Sequence, residues 1–385
     1  MTGLGRRTFI EGLAASGGLA LIGGCRTPYV SGDYEVAVLG DTHYDAAPDT
    51  VYHEAFLAKY AGTGKHPDRY REFVRNAQMW SGPSKRILEA SGRCAAAHPT
   101  KFVLQLGDLV QGDCSDFGVH RQMLADTLAF MKGVYPEGLP FLPVCGNHDI
   151  RHGDDIDDDA AWAPYDEAMV PYARAQLGSR VCAASYRTTY GFRSGPDLYI
   201  MVNFNQGRDN VPAVKRLLDE NRDARYTFLV THGGVFPFDC WACRWFYLGN
   251  EKDDALRREM RSILAARNAI VLCGHTHHLE LKEAEFPEGR ITEMTMNTVF
   301  GKSKGGENPA EPENVREGVE AYGNPEWEAK KPSVKALFDE YRPHMRRFFH
   351  ADAVGHARMR VLDAGVWFDF YGRDALTPTR TFRLR

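Results

Sequence analysis

No stretch of this chain reaches the 18 consecutive apolar residues that would read as a membrane-crossing helix. A basic excess is missing as well. The 47 Lys and Arg against 51 Asp and Glu leave a formal net charge of −4, which offers no electrostatic footprint for a phosphate backbone and argues against nucleic acid as a partner. Internal repeats and low-complexity runs are absent, so a solenoid or a largely disordered chain is not expected. Cysteine is sparse: eight in 385 residues cannot make a disulfide scaffold. Cys145 and Cys273 close apolar runs and read as buried thiols. Cys240 and Cys243 have redox spacing without thioredoxin-like surroundings and read as structural.

Against these absences, the 14 histidines are conspicuously grouped, three of them in VLCGHTHH at 271–278. The stretch ends a strand-like apolar run, where neither a solvated cluster nor a packed core would favour imidazoles. The same pattern returns along the chain. YEVAVLGDTH ends in Asp41 and His43, KFVLQLGDLVQGD in Asp108, LPFLPVCGNHD in Asn147, His148 and Asp149, YTFLVTHGG in His232, and AIVLCGHTHH in His275 and His277. Each apolar run has strand length and reads as a strand covered on both faces. Four of the five place Gly immediately before the polar cluster, where a sharp turn or a close backbone approach is wanted. Helical periodicity fills Arg121–Lys132, Val211–Asn221 and Asp253–Arg267 between them. Strands alternating with helices predict an α/β fold with much parallel pairing, and ligands in such sheets gather beyond the carboxyl ends of the strands. Residues far apart in sequence are therefore expected to meet at one site.

Their chemistry narrows the site. Imidazoles and carboxylates without thiolate suit Zn, Mn, Fe or Ni and argue against a structural zinc. Two Asp, one Asn and four His exceed what one ion can use, whereas two cations sharing a carboxylate accommodate them.

In order, Asp-x-His, Gly-Asp, Gly-Asn-His-Asp, His and Gly-His-x-His, spread from Gly40 to His277, resemble the calcineurin-like metallophosphoesterase superfamily. The resemblance implies two facing mixed β-sheets flanked by helices, a four-layer αββα sandwich. It also implies two divalent or mixed-valence ions (Mn, Fe or Zn). Asp41, His43 and His277 would hold one ion, Asn147, His232 and His275 the other, with Asp108 bridging. His148 corresponds to the family's non-ligand imidazole, which binds phosphate and assists the leaving oxygen; Asp149 is expected to orient that ring by accepting its other N–H. The implied activity is hydrolysis of phosphate mono- or diesters by attack of a metal-bound hydroxide. The alternatives are a metal-dependent nuclease and a non-catalytic, metal-loaded binding module. Three residues after the bridging Asp, purple acid phosphatases carry a Tyr ligand; here Gln111 stands instead, so that subgroup's ferric site is not expected.

Around the site, His278 reads as a supporting or structural imidazole, and His120 and His152 occupy no ligand position. Asp45 and Asp113 read either as outer hydrogen-bond partners or as turn residues, and Asn203 and Asn205 end another apolar strand near the site edge. Asp154–Asp159 reads as a solvated loop, and Trp241, Trp245, Phe246 and Tyr247 as packing.

At the N-terminus, Arg6 and Arg7 precede a short apolar stretch and Ile22-Gly23-Gly24-Cys25. This resembles a twin-arginine export signal with a lipobox. The expected organisation is a signal at 1–25, a catalytic domain at 33–300, and an insertion or lid at 301–349 with a short helix near Ser333–Tyr341. Strands at 350–385 would complete the catalytic domain, with a hairpin around the Asp-Ala-Gly turn after Val361. Segment 46–100 is a second insertion with no recognisable signature. An exported protein is expected, periplasmic or held outside the cytoplasmic membrane through a lipid on Cys25. The only partner implied is a phosphate-ester substrate, and the sequence is silent on oligomeric state.

Overall fold

A computed structural model describes residues 32–46, 48–151, 159–178, 181–186, 189–203, 207–237, 254–299 and 311–385. Three of the expected apolar runs become strands β1 (Tyr34–Leu39), β2 (Thr100–Gln105) and β3 (Phe141–Pro143). Segment 46–100 forms a 3-10 turn at Pro48–His53 followed by helices α1 (Glu54–Tyr60), α2 (Arg69–Ser81) and α3 (Pro83–Ala97). Helix α4 (Phe117–Val134) precedes β3, and α5 (Asp159–Leu177) follows it.

The second half opens with β4 (Val181–Tyr186), β5 (Thr189–Ser194) and β6 (Asp197–Met201). Then come α6 (Gly207–Glu220), β7 (Thr227–Val230), α7 (Asp254–Ala265) and β8 (Ile270–Cys273). Strands β9 (Leu279–Phe286) and β10 (Gly289–Thr295) follow, then β11 (Glu313–Glu317), α8 (Pro325–Lys330) and α9 (Pro332–Tyr341). The chain closes with β12 (Met345–Asp352), β13 (Gly355–Leu362), β14 (Gly365–Gly372) and β15 (Arg380–Arg383).

These strands form two mixed sheets. One has six strands in the order β15-β14-β13-β1-β2-β3; the other has nine, β11-β12-β9-β10-β8-β7-β6-β5-β4. Pairing is parallel where the site-bearing strands lie, β1 with β2, β2 with β3, and β6, β7, β8 and β10 in succession. The hairpin β13–β14 pairs antiparallel across its full length and sets β13 against β1.

Alternation along each strand builds the layers, because successive side chains point to opposite faces. Val36, Val38, Leu104, Tyr199, Met201, Ile270 and Leu272 pack together between the sheets. Their neighbours Ala37, Leu39 and Val103 pack outward with Leu88, Met123 and Leu124 of α3 and α4. Across the nine-stranded sheet, Leu198, Ile200, Leu229 and Val271 pack with Val214, Leu217, Met260 and Leu264 of α6 and α7. Sheets covered on both faces explain why the strands read as continuous apolar runs. The alternating stretch RITEMT does not face solvent on one side as its pattern predicts: from Ile291 to Thr295 every residue of β10 is buried. No helix among the described residues is long and apolar enough to cross a membrane.

Candidate metal centre

At the carboxyl end of each of these strands the chain turns sharply and presents a polar side chain. His43, Asp108, His275 and His277 all take left-handed backbone, with φ of 43°, 51°, 72° and 59°. A residue with a Cβ pays about 1–3 kcal/mol for that conformation, a strain that clusters at functional sites. The glycines work by close approach. A Cβ on Gly274 would lie 2.2 Å from the Asp41 carboxylate, and one on Gly107, itself at φ +91°, would lie 2.4 Å from the His232 ring. One strand's glycine thus makes room for the donor of another.

Donor atoms converge in three groups, each within 4.8 Å: Asp41, His43 and His277; His43, Asp108 and His148; Asp108, His232 and His275. His277 Nε2 lies 2.8 Å from the Asp41 carboxylate and 3.1 Å from His43 Nε2. His232 Nε2 lies 3.0 Å from Asp108 and 3.2 Å from His275 Nδ1. Asp108 belongs to both of the latter groups, and its Oδ1 accepts the His148 backbone N–H at 2.7 Å. Asn147 is buried, and its Oδ1 has no hydrogen-bond partner. An amide oxygen shut away from water without a donor is costly unless a cation meets it.

Hydrogen bonds between the runs, and from residues outside them, fix the frame. The Asp108 carbonyl accepts the N–H groups of Thr42 and His43 at 3.0 and 2.8 Å, and the Asp41 carbonyl accepts from Val299 N–H and the Thr298 hydroxyl. Trp80 of α2 donates its indole N–H to the His43 carbonyl at 2.7 Å, so segment 46–100 braces the site. His232 Nδ1 sits 2.7 Å from the Leu106 carbonyl, an anchorage that aims Nε2 into the cluster.

The expectation for Asp149 needs correction. His148 Nδ1 lies 2.8 Å from the Gln111 carbonyl, so the ring is oriented by backbone. Both Asp149 oxygens are engaged elsewhere, accepting from Val110 N–H at 3.0 Å and Gly146 N–H at 2.8 Å. Asp149 therefore holds together the loops after β2 and β3. It is fully buried, and burial, aided by the Asp108 charge, raises its pKa to about 8.

Other expectations resolve in place. Asp45 lies 3.1 Å from His53 Nε2, and Asp113 grips Arg151 with both oxygens, at 2.8 and 2.5 Å. Asn203 is buried and bonded through its backbone to Thr189 and Asn210, outside the donor groups. His120 is buried within α4, and Cys145 and Cys273 are buried thiols outside any disulfide. The expectations for residues 1–25, His152, Asp154–Asp158, Asn205, Cys240, Trp241, Cys243, Trp245, Phe246 and Tyr247 concern positions outside the described residues.

Sequence reasoning missed Arg151, whose positive charge, after burial, depresses the His148 pKa and also contributes to lowering that of His43. Its position two residues beyond the Gly-Asn-His-Asp block was the available signal.

The protonation states of His43, His275 and Asp108 suit cation capture. Burial drives His43 down to about 4 and His275 down to about 3, so both rings are neutral donors at pH 7. For Asp108 burial acts upward, but His232 and His148 outweigh it and hold the carboxyl well below its ordinary range. His232 goes the other way: despite burial, Asp108 and Asp41 raise it to about 9.

A model of the calcineurin-like phosphoesterase family matches residues 34–279. The chain belongs to that family. Among solved structures, a dimetal phosphatase from Danio rerio is similar over 91% of this chain and 98% of its own, with TM-score 0.52 and 10% identity. A structure of PhoD covers 92% of this chain and 69% of its own, with TM-score 0.51 and 10% identity. At that identity the likeness establishes the fold: the calcineurin-like arrangement of two mixed sheets flanked by helices. A comparison with curated protein sequences finds no match.

Proposed function

We propose that the chain is a dinuclear metal-dependent phosphoesterase acting on phosphate mono- or diesters. The observation that carries the reading is the convergence of imidazoles and carboxylates on Asp108; the Asn147 oxygen, buried without a partner one residue before His148, agrees with it. Asp41, His43 and His277 would hold one cation, Asn147, His232 and His275 the other, with Asp108 shared; this donor set fits Mn, Fe or Zn. When bound, such a pair supplies Lewis-acid charge to the phosphate oxygens and acidifies a water. Family membership and the dimetal phosphatase of the same fold support two ions.

The protein's own part centres on His148. With Nδ1 held by the Gln111 carbonyl, Nε2 is the atom that would meet a leaving oxygen. Burial and Arg151 keep the ring neutral, so it would take up a proton only beside an anionic substrate. Arg151, forked on Asp113, adds fixed positive charge to the same corner.

Chelation should abolish hydrolysis of an aryl phosphate ester, and Mn, Fe or Zn should restore it. His148→Ala should cut turnover by about 10²–10⁴-fold with metal content unchanged. Activity that survives chelation would overturn the reading. The nuclease alternative has little support from a chain of net charge −4, and a plasmid-nicking assay checks it. Inertness toward a broad ester panel by metal-loaded protein would favour the binding module.

The domain limits and location belong to the same proposal. Residues 1–25 would direct export, 33–300 and 350–385 would form the catalytic unit, and 301–349 an insertion beside it. Mass spectrometry of the mature N-terminus tests the signal: cleavage before a lipidated Cys25 supports an anchored lipoprotein.

A further inference from the structure

We propose that His278, His350 and Asp352 form a third cation site, separate from the donor groups around Asp108 and independent of the phosphoesterase reading.

The argument starts from strand register. In the antiparallel pair β9–β12, Ala351 faces Leu279 and His350 faces Glu280. Continuing that register one residue brings His278, just ahead of β9, opposite Asp352, and the pair is in contact: His278 Nδ1 lies 2.8 Å from Asp352 Oδ1. Positions two apart along a strand share a face, so His278, Glu280, His350 and Asp352 fall on one side of the sheet. One donor atom each from His278, His350 and Asp352 lies within 4.8 Å of the others. The two imidazole rings are tilted toward each other, with centroids 4.7 Å apart.

The surroundings are those of a built ligand set. His350 Nδ1 sits 2.8 Å from a carboxylate oxygen of the buried Glu280, whose other oxygen pairs with the Lys282 ammonium at 2.5 Å. A carboxylate behind an imidazole fixes the ring's direction and strengthens it as a ligand. On the other flank Asn314 donates to Asp352 Oδ2 at 2.7 Å. A surface His–Asp pair needs neither a second buried imidazole nor a backing carboxylate, and both are present here. Side-chain exposures of 23% for His278 and 37% for Asp352 leave the group open to solvent, so an ion can enter and keep coordination positions for water or an anion.

Two imidazoles and one carboxylate select a borderline transition ion such as Zn²⁺ over Ca²⁺ or Mg²⁺, which prefer oxygen. Because His278 directly follows His277, the ion would lie on the flank of the dinuclear centre.

Equilibrium dialysis of the metal-free full chain against Zn²⁺, followed by elemental counting, tests this. Wild type should bind one equivalent more than Asp352→Ala, and His350→Ala should show the same loss of one. Asp352 is partly exposed, so its variant should fold, which far-UV circular dichroism confirms even if His350→Ala does not. Equal zinc content in wild type and Asp352→Ala overturns the proposal. Three ions falling to two supports both this site and the dinuclear centre. One ion falling to none supports this site while removing the dinuclear reading.

Discussion

Two buried polar clusters, one within the nine-stranded sheet and one where strand ends of both sheets meet, solve the same electrostatic problem in opposite ways. Along β9 and β10, Lys282 is buried between Glu280 and Glu293, at 2.5 and 3.2 Å. Glu293 also accepts the N–H groups of Val235 and Phe236, and Glu280 takes His350. Every carboxylate here has donors from the chain itself, and although burial acts upward, Lys282 and His350 hold Glu280 at a pKa of about 2. The cluster around Asp108 is built from carboxylates and imidazoles, with the orphaned Asn147 oxygen one residue before His148. One cluster is complete as folded; the other is completed from outside. A buried polar group is thus informative about function only after its partners are counted.

Four experiments bear on that contrast. The largest effect is expected at the closed cluster. Lys282→Met leaves two buried glutamates without their cation and should cost about 3–5 kcal/mol of stability, read by urea denaturation. A cost below about 1 kcal/mol would mean that the cluster is not closed as described.

At the open cluster, Asp108→Ala should instead lose metal. A change behind a ligand typically costs about 10–100-fold in affinity, so removing the shared carboxylate should cost more than about 100-fold by metal titration.

A third test is pH. The folded pKa of His232 lies above its ordinary 6.5, at about 9. In metal-free protein its contribution to stability is therefore fully present below pH 6.5 and lost as pH rises through 9. Metal binding needs the neutral ring, so affinity should rise across the same window while apo stability falls. Thermal melts and metal titrations from pH 6.5 to 9 would show the two curves crossing; parallel curves would refute the pairing.

The smallest effect is at the brace. Trp80→Phe removes the bond to the His43 carbonyl and should cost about 1 kcal/mol, with metal content kept.

Much of the site could be read from the chain because turn chemistry and metal ligands are local: Gly-Asp, Gly-Asn-His-Asp and Gly-His-x-His carry their roles in a few residues. The parallel strands were equally plain, being apolar throughout. What stayed hidden depends on partners distant in sequence. LELKEAEF looks like a strand with one wet face, yet Glu280 and Lys282 are buried, Lys282 against Glu293 of β10 and Glu280 against His350 of β12. Segment 301–349 carried a legible helix, α9 at Pro332–Tyr341, but no hint that β11 and β12 extend the larger sheet. Asp149 looked like the partner of His148 because they adjoin, whereas the ring reaches across to the Gln111 carbonyl from another strand end. Trp80 could not be linked to His43 at all without the fold.

The left-handed backbone at His43, Asp108, His275 and His277 has an evolutionary corollary. These positions would be more comfortable as glycine, so each donor is kept at the expense of robustness. A population of variants screened for heat resistance alone, with no demand on chemistry, should erode these four positions first.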